Sequence, residues 1–158
     1  MSKKRGHRVF AIPLVAAFIL AAMLSAGCGG GADTNSKIME TLDAWYSLKN
    51  AGDGASMWAL LDSDSPTVSK MSRQFFVTSV AEEYSGGFTT TYEVKDIQIE
   101  KVKGTDWATA YLTVDVGEGV NLNGETVPPS RYDVTTDLVN RKGSWYVYED
   151  RIEGPHND

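Results

Sequence analysis

The chain has 158 residues, 42% apolar, 23% charged and 10% aromatic, the profile of one globular domain able to bury its own core. Its formal charge of -6 is unevenly spread, because Lys3, Lys4, Arg5 and Arg8 sit in a leading stretch that holds no acid, and so acidic a remainder argues against a nucleic-acid partner. One cysteine, Cys28, and histidines only at His7 and His156 leave no internal disulfide, no Cys/His zinc site and no histidine-assisted nucleophile inside a fold.

Met1 to Arg8 form a basic segment, and Val9 to Leu24 follow without a charge. That apolar run is shorter than the roughly 20 residues a membrane-spanning helix needs, and Pro13 weakens it further as a permanent span. Small residues then lead to Cys28, as at a signal-peptidase site. Leu24-Ser25-Ala26-Gly27-Cys28 resembles the lipobox of a bacterial lipoprotein signal. The resemblance implies that the Cys28 thiol receives a diacylglyceryl group and that cleavage leaves Cys28 as the first residue. Two acyl chains would give a stable anchor on the extracytoplasmic face of the cell membrane. The expected organisation is a signal peptide over 1–27, a lipidated cysteine with a flexible glycine-rich tether over 28–35, a domain over 36–152 and a polar tail over 153–158.

Ser36 reads as an N-cap, and Ile38, Met39, Leu42, Trp45 and Tyr46 recur at helical spacing to about Asn50. Gly52-Asp53-Gly54 stops that helix, and a short second one spans Ala55 to Leu61. After the turn at Asp62-Ser63-Asp64, Ser65-Pro66 opens a third helix that runs to Gly86-Gly87. The remainder is β-like. Phe88 to Val102 alternates with a slip near Lys95-Asp96, the mark of a bulge. Trp107 to Val116 places Ala108, Ala110, Leu112, Val114 and Val116 on one face. A loop over Gly117 to Ser130 precedes Arg131 to Asn140, with Tyr132, Val134, Thr136 and Leu138 inward. Arg141-Lys142-Gly143 then turns into a last strand from Ser144 to Ile152.

Helices first and a four-stranded antiparallel meander after them make an α+β domain, with the helices packed on the apolar face of a curved sheet. Leu42-Asp43-Ala44-Trp45-Tyr46, the segment Gly52 to Leu61 and the closing Gly143-Ser144-Trp145-Tyr146-Val147 resemble the NTF2-like (cystatin-related, SnoaL-like) cone fold. The likeness covers about residues 36–152. It implies a pocket inside the cone, and enzymes of that fold use Asp, Tyr or His there.

With no internal histidine, only carboxylate and phenol chemistry is open to such a pocket. Asp43 with Tyr46 and Asp115 with Tyr111 are the pairs available, but Asp43 lies off the apolar stripe and Asp115 on the outward face. The inward positions Ala108, Ala110, Leu112, Val134 and Leu138 hold no ionisable group, so no catalytic residue is assigned. Asp62-Ser63-Asp64-Ser65 begins like a calcium loop but has Thr67 and Arg73 where the glycine and the last acid are needed, so no metal or cofactor is expected. Trp45, Tyr46, Trp58, Leu112 and Tyr132 are the candidate pocket for a small apolar ligand. Trp107, Tyr111, Tyr146 and Tyr148 make a candidate outward surface for a homodimer or a cell-envelope protein. The expectation is a lipid-anchored binding domain. The alternatives are a carboxylate-dependent isomerase, cyclase or hydrolase of the same fold, and a structural accessory of the cell envelope.

Overall fold

The structure, a computed structural model, describes residues 32–156. Among them four helices come first: α1 (Ala32–Asn50), α2 (Gly54–Leu60), α3 (Pro66–Lys70) and α4 (Arg73–Tyr84). The strands are β1 (Thr90–Val102), β2 (Thr105–Val116), β3 (Gly119–Val120), β4 (Thr126–Val127), β5 (Ser130–Arg141) and β6 (Ser144–Pro155). One antiparallel sheet has the order β1-β2-β5-β6, and β3 with β4 forms a small hairpin in what reads as a loop. The α+β order expected from the sequence is the order observed.

Local capping decides where the helices break. α1 starts at Ala32, so residues 32–35 are helix and not tether; Lys37 Nζ pairs with Asp33 Oδ2 at 3.0 Å one turn apart. Asp53 caps α2, its carboxylate accepting from Ser56 N at 3.0 Å and Ser56 Oγ at 2.6 Å. The single long helix expected after Pro66 is two. Ser65 Oγ caps α3 through Val68 N at 3.2 Å, Met71 is extended at φ -138°, and Ser72 Oγ restarts the chain as α4 by accepting from Phe75 N at 3.2 Å. α2 and α4 approach closely at Gly54, where a Cβ would lie 2.7 Å from Val77 Cα.

The core lies between these helices and one face of the sheet. Ala108, Ala110, Leu112 and Val114 of β2 and Val134, Thr136 and Leu138 of β5 are buried there against Ile38, Leu42 and Trp45 of α1 and Met57 of α2. Two clamps close the layers. Asn50 exchanges hydrogen bonds with the Thr90 backbone at 2.6 and 2.7 Å, fixing the end of α1 to the start of β1. Arg141 Nε and Nη2 donate to Asp62 Oδ2 and Oδ1 at 2.8 and 3.0 Å, while Asp62 N donates to Val147 O at 2.9 Å.

β1 is an edge strand with a register shift between Val94 and Asp96, as its alternation implies. Thr91, Glu93, Lys95, Asp96, Gln98 and Glu100 are all exposed along it. β6 runs past Ile152 to Pro155, and His156 N donates to Arg131 O at 3.0 Å, so residues 153–155 of the polar tail belong to the last strand. Cys28 and the apolar stretch before it lie outside the described residues. No helix among the described residues is long and apolar enough to cross a membrane.

Candidate functional site

The site depends on one extra residue in β6. Leu138 pairs with Val147, but Asp137 pairs with Glu149, so Tyr148 is bulged out of register. Trp145 and Val147 face the helices, and unbroken alternation would turn Glu149 the same way. The bulge reverses the parity and sends Asp150 inward instead. Its side chain is 16% exposed, and its carboxylate accepts from Thr136 Oγ1 at 2.6 Å and Trp45 Nε1 at 3.3 Å. Asp150 thus adds an inward carboxylate beside the non-ionisable positions Ala108, Ala110, Leu112, Val134 and Leu138.

Asp150 sits at the wall of a cavity of about 180 Å³ between α1, α2, α4 and β6. Trp45, Met57, Leu61, Phe76 and Val80 supply its apolar lining, and Thr67, Lys49, Glu83, Tyr84 and Asp150 supply polar lining of nearly equal extent. Lys49 Nζ lies 3.8 Å from Asp150 Oδ2. Burial pulls the Lys49 ammonium down, but the nearby Asp150, Tyr84 and Glu83 outweigh it and hold the group above its ordinary value, so it is cationic. Burial pushes the Tyr84 phenol up against the opposing pull of Lys49. Tyr46 is stacked on Tyr92 with ring centroids 4.6 Å apart, and its buried hydroxyl has no hydrogen-bond partner among the described residues. Burial and then the Asp150 charge raise that phenol far above the usual range, which keeps it a donor.

Of the five residues read as a pocket, Trp45 lines the cavity and Tyr46 lies behind it. Trp58 packs outside that wall, tilted on the cavity residue Phe76 at 5.5 Å. Leu112 is 2% exposed in the core, and Tyr132 is a half-buried neighbour of that core. The structure adds Lys49, Thr136, Tyr84 and Asp150. Lys49 carried a usable signal, since it stands four residues after Trp45 and therefore on the same helical face. Asp43 is exposed and accepts from Tyr92 Oη at 2.5 Å, while Asp115 is paired with Arg131 Nε at 2.8 Å on the far side of the sheet.

On that far side, Trp107, Val139 and Tyr146 form one row across three strands. Trp107 meets Tyr148 edge-on at 4.9 Å, and Val139 is 0% exposed although no helix among the described residues covers this face. Trp107, Tyr146 and Tyr148 are half-buried in this row, and Tyr111 is exposed. The rows beyond it are polar. Asp137 accepts from Thr109 Oγ1 at 2.9 Å and Arg151 Nη1 at 2.6 Å, and His156 Nδ1 meets Asp133 Oδ1 at 2.8 Å.

A larger groove of about 360 Å³ lies at the end of the sheet, lined by Thr89, Thr91, Pro129 and the Arg131–Asp115 pair. It is more open than the helix-side cavity, half of its lining residues are exposed, and its Arg131 and Asp115 charges pair with each other, so it encloses a ligand less well. The acids of the Asp62-Ser63-Asp64 turn are bound to Arg141, and no group of three or more metal-ligating side chains occurs among the described residues.

No family model matches the sequence, and no curated protein sequence matches it. Solved structures do. An NTF2-like superfamily protein from Salmonella enterica serovar Typhimurium superposes with a TM-score of 0.58 at 16% identity, over 80% of this chain and 94% of that one. The fold is NTF2-like. A cystatin-like protein from Caulobacter vibrioides gives a TM-score of 0.55 at 19% identity, over 79% of this chain and 92% of that one. A proposed dehydratase of the NTF2-like family from Streptomyces avermitilis gives 0.52 at 14% identity, over 80% and 99%. At these identities the NTF2-like likeness speaks for the fold, and the chemistry has to be argued from the cavity itself.

Proposed function

We propose that this is a lipid-anchored, extracytoplasmic binding domain whose helix-covered cavity holds a small, mostly apolar molecule. The observation that carries the reading is the cavity: apolar side chains of α1, α2 and α4 face the convergent polar groups of Asp150, Lys49, Tyr84, Glu83 and Thr67. That combination of hydrophobic lining and a few convergent polar groups is the usual make-up of a ligand site. The anchor rests on the lipobox-like Leu24-Ser25-Ala26-Gly27-Cys28 behind a short charge-free run. Native mass spectrometry of the chain extracted gently from bacterial membranes tests the ligand: excess mass lost on denaturation is expected, and a bare chain would sink the reading. The N-terminal peptide from the same sample should carry a diacylglyceryl Cys28.

A second reading, acid–base catalysis, is favoured by Asp150, a carboxylate almost withdrawn from water inside the cavity. Against it, both oxygens already accept hydrogen bonds, from Thr136 and Trp45. A general base must reach the proton it takes. Bound ligand recovered chemically unchanged favours binding, and recovery of a transformed product favours the enzyme.

A further inference from the structure

The two long hairpins of the sheet turn at the same end. Lys103-Gly104 joins β1 to β2 and Lys142-Gly143 joins β5 to β6, and the pairing of Trp107 with Val139 sets the two turns on neighbouring strands. Each turn holds its lysine in the left-handed region, at φ 50° and 57°, where asparagine, aspartate or glycine is the ordinary choice. Both lysines are exposed, and neither side chain has a partner among the described residues. Val102, 41% exposed, stands between Lys101 and Lys103. Of the acids nearby, Asp106 pairs with Lys101 at 3.2 Å, and Asp62 and Asp64 pair with Arg141 at 2.8 and 3.1 Å. With Glu100 counted, this end is about neutral, whereas the rest of the domain is strongly acidic.

The start of the domain lies toward the same end. Asn50 bonds the Thr90 backbone at 2.6 and 2.7 Å, and Tyr46 stacks on Tyr92 at 4.6 Å, so α1 runs antiparallel to β1 and its N-terminus is directed toward the Lys103 turn. Cys28 precedes Ala32 by four residues, which can span at most about 14 Å.

We propose that the domain stands on an anionic lipid surface through this end, with Lys103 and Lys142 against the headgroups. This rests on the lipidated Cys28 proposed for the anchor and adds which way the domain faces. Surface charge is felt only within about 10 Å, so the end beside the anchor decides the orientation, and the acidic remainder is repelled. Two lysines bind a membrane weakly by themselves, but so short a tether keeps them beside it. The β3–β4 hairpin, at the other end of the sheet, then points away.

Cys28 is the only cysteine, so in the lipidated chain a cysteine introduced elsewhere takes a fluorophore alone. Ser144→Cys marks the proposed contact end, and Leu122→Cys, at a residue 76% exposed beyond β3, marks the far one. The full lipidated chain is placed in vesicles of equal phosphatidylcholine and phosphatidylglycerol that carry a headgroup quencher. Quenching should be at least about fivefold stronger for the Ser144→Cys probe, the worth of one lysine near an anionic surface. Lys103→Asn together with Lys142→Asn, which suits the left-handed backbone, should bring the two probes to within about twofold of each other. Vesicles of phosphatidylcholine alone should do the same to the unsubstituted lysines. Equal quenching at the start, stronger quenching of the Leu122→Cys probe, or a preference that survives loss of both lysines overturns the proposal and leaves the anchor standing. A chain that stays out of the vesicles with Cys28 unmodified overturns both. Should the double variant fail to fold, the two vesicle compositions decide.

Discussion

The indole N–H of Trp45 donates to Asp150 Oδ2 across 3.3 Å, tying the first helix to the last strand at the cavity wall. Trp45 is 4% exposed, so the bond is shielded from water. Trp45→Phe keeps most of the packing and removes the donor, and should cost about 2 kcal/mol, the usual size for a hydrogen bond to a charged partner. Urea unfolding followed by circular dichroism measures it. In an Asp150→Asn background the same change should cost clearly less, and equal costs in both backgrounds would show that packing alone is at stake.

The Arg141–Asp62 clamp predicts a pH dependence of definite sign. The Arg141 hydrogen bonds hold the Asp62 carboxyl below its ordinary value. A depressed folded-state value means stability that is present above the unfolded carboxylate value, about pH 4, and lost as pH falls through the depressed one. Arg141→Met should therefore lower Tm by several degrees at pH 7, and the gap from wild type should close in strong acid. A gap that stays constant from pH 7 to pH 2 would rule the ion pair out as its source.

At Gly54 the helices leave no room for a methyl group, with Val77 Cα only 2.7 Å from the would-be Cβ. Gly54→Ala ought to destabilise by about 2 kcal/mol through overpacking, although alanine is the better helix former. Because α2 and α4 both line the cavity, ligand affinity should weaken with it. A stabilised Gly54→Ala variant would mean that the two helices part easily.

Ser72 separates α3 from α4 by capping Phe75 N. Ser72→Ala should cost about 1 kcal/mol, typical for a lost N-cap. Amide exchange should rise first at Phe75 and its neighbours, and unchanged exchange there would show that the break has another cause.

On the open face of the sheet, Trp107 stands beside Val139 and against Tyr148. If its task is to cover Val139, Trp107→Ala will lower Tm by the same amount at every protein concentration. A loss that shrinks as both proteins are diluted would instead show that a second copy shares the burial.

The strands that read clearly were those whose side-chain alternation is unbroken. Ala108, Ala110, Leu112 and Val114 had to share a face whatever their partner, and β2 is built that way. The slip at Lys95-Asp96 was equally visible, because apolar residues on both sides of it fall out of phase. The bulge at Tyr148 was not. Tyr146, Tyr148 and Ile152 suit either face of a strand, and the choice is made by how β5 pairs with β6. The cavity carboxylate was hidden for the same reason. Ser72 gives no sign of the break in the sequence, because Val68, Met71 and Phe75 keep helical spacing through it and the cap alone distinguishes two helices from one. The start of α1 was obscured by Asp33, Thr34 and Asn35, residues that suit turns but here form its first turn.

The exposed rim of β1 bears on how copies of this domain behave when crowded. Strand edges offer unpaired backbone groups to any neighbouring strand, and unguarded ones grow into stacked aggregates. Here Glu93, Lys95, Asp96, Gln98 and Glu100 line that rim, and the bulge between Val94 and Asp96 interrupts its straight run. An approaching copy meets charges it must strip of water and a register it cannot match. Copies brought side by side are therefore guarded at this rim against joining strand to strand.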